Sequence, residues 1–271
     1  MNLSFYIARR YLFAKKSHNA INIISYISVG GVALGTMALI VVLSVFNGFD
    51  NLVRSLYNSF NPDLVISLKE GKAFRPDSTS IFGLKKIAGV VDYAEVLEDR
   101  ALVRNGEKQT IATVKGVSYN YTSVSGIDSM VRQGEFSLEK KGESYSVIGQ
   151  GIAWFLDVSL DVNLIYRPEL AFYVPDRKSK GFSNPERDIN RGYLIPHRDF
   201  AIEQEFDSKY ILVPIDFARD LFGFPNEVTA IEVKVNEKAN EGEVQKAVEE
   251  LFGNEFMVKT DISKMNSSTK R

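Results

Sequence analysis

Ile27-Ser-Val-Gly-Gly-Val-Ala-Leu-Gly-Thr-Met-Ala-Leu-Ile-Val-Val-Leu-Ser-Val-Phe46 decides how the rest of the chain is organised. It is apolar apart from Ser28, Thr36, Ser44 and three glycines, within an uncharged window from Asn19 to Phe49. A helix rising about 1.5 Å per residue needs roughly 20 such residues to cross a hydrocarbon core about 30 Å thick. Backbone amides in hydrocarbon must be satisfied within the segment, so helix is expected despite the β-branched run Ile40, Val41, Val42. A cleavable signal peptide fits poorly. The run exceeds the roughly 7 to 15 apolar residues of such a peptide, and Ser44-Val-Phe-Asn-Gly-Phe-Asp50 offers no small-residue cleavage pattern.

On the N-terminal side lie Arg9, Arg10, Lys15 and Lys16, whereas all 34 acidic residues lie beyond Phe49. Basic residues collect on the cytosolic side of membrane spans, which places the N-terminus in the cytosol and everything after Asp50 outside it. In residues 1–18, Leu3, Phe5, Ile7, Ala8, Tyr11 and Leu12 alternate with these cations. The pattern suits an amphipathic helix on the inner leaflet, its basic side chains meeting anionic lipid headgroups. Gly31 and Gly35 share one face of the span, with Gly30 and Ala38 nearby. They are either the ordinary glycine content of membrane helices or a surface for close helix packing. On the C-terminal side, Leu52, Val53, Leu56, Tyr57 and Phe60 keep helical spacing, so the helix is expected over 19–60, ending at Asn61-Pro62.

Residues 61–260 read as one mixed α+β domain. β-Branched and aromatic enrichment between turn residues predicts strands at 64–68, 91–97, 101–104, 110–117, 145–149, 164–165, 170–174, 200–205, 210–214 and 230–235. Helical spacing predicts helices at 81–87, 151–156, 215–221 and 242–251. Pro175 to Pro196 is the least regular stretch, and a loop of that length is either functional or disordered. Residues 261–271 lack apolar periodicity and are expected to be a disordered tail.

With 45% hydrophobic and 25% charged residues the composition is that of a folded protein, which excludes collagen and wholesale disorder. No basic stripe interleaved with aromatics occurs in the large domain, so nucleic acid is not an expected partner. The absence of cysteine excludes disulfides and thiolate zinc sites. Two histidines, His18 and His197, cannot supply a multi-histidine metal site and read as surface residues. Gly149-Gln-Gly151 lacks the third glycine of a dinucleotide loop, and no phosphate loop of the Gly-x-x-x-x-Gly-Lys-Ser/Thr type occurs. The chain is therefore expected to be no enzyme, to bind no cofactor and to hydrolyse no ATP itself. The acidic runs Glu186-Arg-Asp188 and Glu203-Gln-Glu205-Phe-Asp207 read as solvated faces, and Trp154, Phe155, Leu156 and Val158 as core.

The uncharged window shows more than hydrophobicity. Ile24 to Phe49 closely resembles the first membrane helix of lipoprotein-releasing (LolC/LolE type) ABC transporter permeases, and Arg10-Tyr-Leu-Phe-Ala-Lys-Lys16 resembles the segment before it. Val147-Ile-Gly-Gln-Gly-Ile-Ala-Trp-Phe-Leu156 is similar to the strand, glycine turn and helix of that family's MacB-like periplasmic domain. Ile211 to Phe222 and Glu227 to Lys234 resemble its later core. The wider superfamily includes cell-division and macrolide-export relatives. The resemblance implies a permease subunit in the bacterial inner membrane, paired with a second permease subunit and served by a cytosolic ABC ATPase that binds the ATP. Such a complex takes lipoproteins from the membrane and passes them to a periplasmic carrier.

It also implies site residues. Val45, Phe46, Phe49, Leu52 and Val53 would face acyl chains or other membrane lipids, and Gly31 and Gly35 would be a packing surface. Tyr193, Leu194, Ile195 and Pro196 would form the exposed tip of a carrier-binding hook within 175–200. Family members carry three further membrane helices after this domain, so a truncated or split subunit is expected. The alternative is a membrane-anchored periplasmic binding or scaffold protein without transport activity.

Overall fold

The computed structural model describes residues 3–12, 19–58, 62–132, 134–160, 169–177, 188–236 and 238–260. The chain divides into two compact units, residues 1–53 and 54–271. The first holds helix α1 (Leu3–Leu12) and most of helix α2 (Asn19–Asn58). Within α2, Ile23–Phe49 has a mean hydropathy of 2.4, and none of its most apolar stretch is buried. Ser28 and Thr36 donate their hydroxyls to the carbonyls of Ile24 and Val32 one turn back, so neither leaves an unpaired polar group on the apolar surface. The helix runs past the apolar stretch to Asn58, as the spacing of Leu52, Val53 and Leu56 predicts.

The second unit begins with β1 (Leu64–Leu68), α3 (Ser78–Leu84), β2 (Val90–Asn105), β3 (Lys108–Val117) and α4 (Tyr121–Val124), followed by a 3-10 turn at Ile127–Met130. It continues with β4 (Glu139–Lys140), β5 (Glu143–Gly149), α5 (Gln150–Phe155), β6 (Leu170–Pro175), β7 (Ile189–Phe200), α6 (Gln204–Asp207) and β8 (Tyr210–Pro214). It closes with α7 (Ile215–Phe222), β9 (Ala230–Val235), α8 (Glu241–Phe252) and β10 (Phe256–Thr260).

Two substructures share one sheet. Strands β10, β1, β9 and β2 lie side by side, all antiparallel, with α3 joining β1 to β2 and α8 joining β9 to β10. That is a split βαβ arrangement, here opened between β2 and β9 to admit everything from β3 to α7. The insert closes back onto β2. From β2 the order runs β3, β8, β5, β7, β6, and β6 pairs back onto β2, giving a ring of six strands without a free edge. β2 serves both parts: on one edge Val90–Val96 pair with β9 and Leu102–Arg104 with β6, and on the other Val96–Asn105 pair with β3. Gly106, at φ +59°, makes the two-residue turn between β2 and β3.

Period-two alternation sorts side chains into two cores. Val114, Ile148, Ile211 and Val213 join Leu64, Ile66, Phe172, Phe222, Ile231 and Val248 in the larger one. Val117, Val147 and Leu212 point the other way, to a smaller core with Ala94, Val96, Phe200 and, from α4 and the following turn, Tyr121, Val124 and Ile127.

Several expectations change. The two strands predicted at 91–97 and 101–104 are one strand, β2. The strand predicted at 200–205 ends at Phe200, because the Asp207 carboxylate accepts the Ile202 amide at 2.8 Å and turns the chain into α6. Trp154 is 84% exposed and Phe155 half exposed, since the inward positions of α5 and its cap are Ile152, Ala153 and Leu156. The predicted strand at 164–165, residues 178–187 of the irregular stretch, Glu186 among them, His18 and residues 261–271 lie outside the described residues.

Candidate functional site

α2 is the first candidate surface. Val45, Phe46 and Phe49 are each about two-thirds exposed on it. Helical spacing sets 45, 46, 49, 52 and 53 on one stripe, and because α2 is continuous the same stripe runs back through 42 and 38 to Gly35 and Gly31. A Cβ on either glycine would meet nothing within 4 Å, so this end of the stripe is open to lipid or to another helix. α1 carries exposed Leu3, Tyr6 and Ile7 together with exposed Arg9 and Arg10, the mixture an interfacial helix needs.

The second surface is the β6–β7 hairpin. Its strands pair from Leu170↔Leu194 to Pro175↔Ile189, and the Asp176 amide donates to the Asp188 carbonyl at 2.8 Å, one step nearer the turn. Tyr193, Leu194, Ile195 and Pro196 lie within β7. Tyr193 is exposed, Ile195 is half-buried, and Leu194 and Pro196 are buried. The expected exposed apolar tip is therefore corrected: alternation in a strand sends every second of these side chains into the core. Pro196 is tolerated because it faces Ser146 where the β5–β7 register shifts, so its missing amide breaks no regular ladder.

Between the split βαβ unit and the ring is an open cleft of about 610 Å³, lined by Tyr93 and Glu95 of β2, residues 118–120, Phe136, and Asp216 and Arg219 of α7. Arg219 crosses its floor, donating to Glu95 at 2.8 Å and to Asp216 at 3.2 Å. Among the described residues no group of three histidines or carboxylates could hold a metal ion. Gly149 and Gly151 serve packing: a Cβ on either would press into the Asp207–Ser208 backbone or side chain at the end of α6.

One polar cluster escapes sequence reading. Lys115 of β3 reaches Glu232 of β9 at 2.7 Å with both side chains at most 7% exposed, and lies 5.1 Å from the centroid of the Tyr121 ring. Burial opposes the Lys115 charge, but Glu232, Tyr121 and Glu98 outweigh it and hold its pKa above the ordinary lysine value. Glu98, directly across from Lys115 in the β2–β3 ladder, is pushed above its ordinary 4.5 by burial, only partly offset by Lys115. The available signal was Lys115 on the same strand face as Val117, an inward position for a cation.

A split βαβ unit whose insert closes with β2 into a six-stranded ring, preceded in the chain by one helix long and apolar enough to cross a membrane, defines the class: an α+β domain protein with a candidate membrane span. A sequence profile of the MacB-like periplasmic core domain matches residues 25–162, just over half of the chain, and the chain belongs to that family. Two curated relatives match almost from end to end of it. The lipoprotein-releasing system transmembrane protein LolE of Haemophilus influenzae is 28% identical over 249 residues, covering 88% of this chain and 56% of the relative. The corresponding LolC of Neisseria meningitidis serogroup B is 26% identical over 251 residues, with the same coverage. The chain thus spans just over half the length of these relatives. Among solved structures, the periplasmic region of MacB from Actinobacillus actinomycetemcomitans superposes with a TM-score of 0.50 at 12% identity, covering 76% of this chain and 91% of that one, which supports the fold.

Proposed function

We propose that this chain is a permease-type subunit of a lipoprotein-releasing ABC transporter in the bacterial inner membrane. α2 crosses the membrane with its basic N-terminal side in the cytosol, and the core domain stands in the periplasm. A second permease subunit completes the membrane part, and a cytosolic ABC ATPase supplies the energy, so ATP acts only through that partner. The stripe from Val45 to Val53 meets the acyl chains of lipoproteins, and the β6–β7 hairpin meets a periplasmic carrier.

The observation that carries this reading is the single colinear match to LolE, which runs through both the apolar helix and the core domain. Two features agree with it. Charge is sorted across α2, as orientation in a membrane requires. Strands β1 and β10 are antiparallel neighbours with Leu64 opposite Thr260, so the chain leaves the domain beside the point where it came in. That arrangement suits a domain set between two membrane segments.

Affinity isolation from detergent-solubilised native membranes tests the assignment. The chain is expected to bring down an ABC ATPase and an acylated lipoprotein. Recovery of the chain with neither would instead support an anchored periplasmic scaffold.

A further inference from the structure

One edge of β4 is bare. β4 pairs with β5 through Glu139↔Ser144 and Lys140↔Glu143, and no second strand lies beside it among the described residues. The Leu138 carbonyl takes the Tyr145 amide at 2.8 Å, so Glu139 faces Ser144 across a pair that exchanges no bonds. The Glu139 amide therefore points away from β5, on the open edge. Ser137 Oγ takes the Glu139 carbonyl at 2.7 Å, which leaves that amide as the group offered there. Phe136, Ser137, Leu138 and Glu139 all line the cleft that Arg219 crosses, so the bare edge forms part of its wall. The wall is anchored from behind: the Asp128 carboxylate accepts the Phe136 amide at 2.9 Å, and the Phe136 ring stands 6.4 Å from that of buried Tyr121.

Elsewhere the lining presents aromatic rings on a fastened rim. Tyr119 is fully exposed, while both its neighbours are tied to β2. Ser118 Oγ accepts the Glu95 amide at 3.1 Å and donates to Asn120 Oδ1 at 2.8 Å. Asn120 Nδ2 donates to the Tyr93 carbonyl at 2.6 Å and to Asp92 Oδ1 at 3.2 Å. Tyr93, also in the lining, stands level with the place where the chain enters and leaves the domain. Across β2, β9, β1 and β10, Tyr93 pairs with Val233, Val233 with Leu64, and Leu64 with Thr260.

A bare strand edge bordered by aromatic side chains suits an extended polypeptide, because main-chain bonds hold it and alternate side chains settle on the rings. Glu139 and Lys140 keep the edge charged, which guards against permanent pairing and fits a segment that must be let go. We infer that the cleft receives an extended stretch of the substrate polypeptide, the one that follows its acylated residue, as a strand added to the open edge of β4. This rests on the lipoprotein reading of the chain. The acylated end is the occupant because it comes from the membrane, and Tyr93 is level with Leu64, the first strand residue after α2.

Photo-crosslinking in living cells tests this, with p-benzoylphenylalanine in place of Tyr119, whose exposed ring supports no packing. The adduct should contain a lipoprotein joined through the stretch that follows its acylated residue. Glu139→Pro should lower the yield of that adduct about fivefold, the factor that one lost hydrogen bond implies. Proline there removes the open-edge amide and no bond to β5, so the melting temperature should not change. Glu139→Ala keeps the amide and should leave the yield unchanged. The same probe at Phe46 of α2 separates the cleft from the wider assignment. A lipoprotein adduct at Phe46 with none at Tyr119 would overturn the inference and leave the lipoprotein reading standing, whereas no lipoprotein adduct at either position would overturn both. An undiminished yield in Glu139→Pro would overturn strand addition to β4.

Discussion

Lys115→Met should destabilise the core domain by about 3–5 kcal/mol, because it strands Glu232 as a buried carboxylate without its cation. The pair is 2.7 Å apart and nearly fully buried, and it joins β3 of the ring to β9 of the split βαβ unit. Urea unfolding of the detergent-solubilised chain, followed by circular dichroism, measures the loss. The double variant Lys115→Met/Glu232→Met should recover most of it, since replacing both ions leaves no charge to desolvate. A double variant as unstable as the single one would show that the pair is not the source. Glu98 in the same cluster works in the opposite sense. Its folded pKa is raised, so its contribution favours the fold in full below about 4.5 and is lost as pH rises through the folded value. Glu98→Gln should therefore flatten the decline in stability as pH rises above about 4.5.

Gly149→Val is expected to have the next largest effect. The new Cβ would overlap the backbone carbonyl of Asp207, which cannot swing aside as a side chain can. Overpacking of this kind costs about 1–3 kcal/mol, and more where backbone must move. α6 would be displaced, and with it the Asp207 carboxylate that accepts the Ile202 amide at the end of β7. The variant should unfold at lower urea than the parent. Gly142→Val, at a turn where a Cβ would meet nothing within 4 Å but φ is +79°, supplies a comparison governed by backbone strain alone.

What the sequence made legible follows from range. The apolar window of α2 is a local property, readable from length and charge alone. Strands β1, β8 and β9 are short apolar runs between turn residues, and their bounds agree with the pattern. The closure of the ring is not local: Leu102–Arg104 pair with Ala171–Tyr173 far along the chain, and no nearby residue announces it. β7 was hidden for a different reason. Asn190, Gly192 and Pro196 carry loop chemistry, yet each is used in the strand, for a bond to Leu221, for contact with Phe217 and at a register shift. The same disguise made Tyr193 to Pro196 resemble a hook tip. β10 lacked a pattern because Phe256-Met-Val-Lys-Thr260 does not alternate.

Photo-crosslinking in living cells tests whether α2 handles the lipid of a lipoprotein. With p-benzoylphenylalanine in place of Phe46 or Phe49, illumination should give an adduct containing an acylated lipoprotein. The adduct should vanish when that lipoprotein's acylated cysteine is changed to serine. Adducts that form equally with the non-acylated protein, or the absence of any lipoprotein adduct at both positions, would contradict the account.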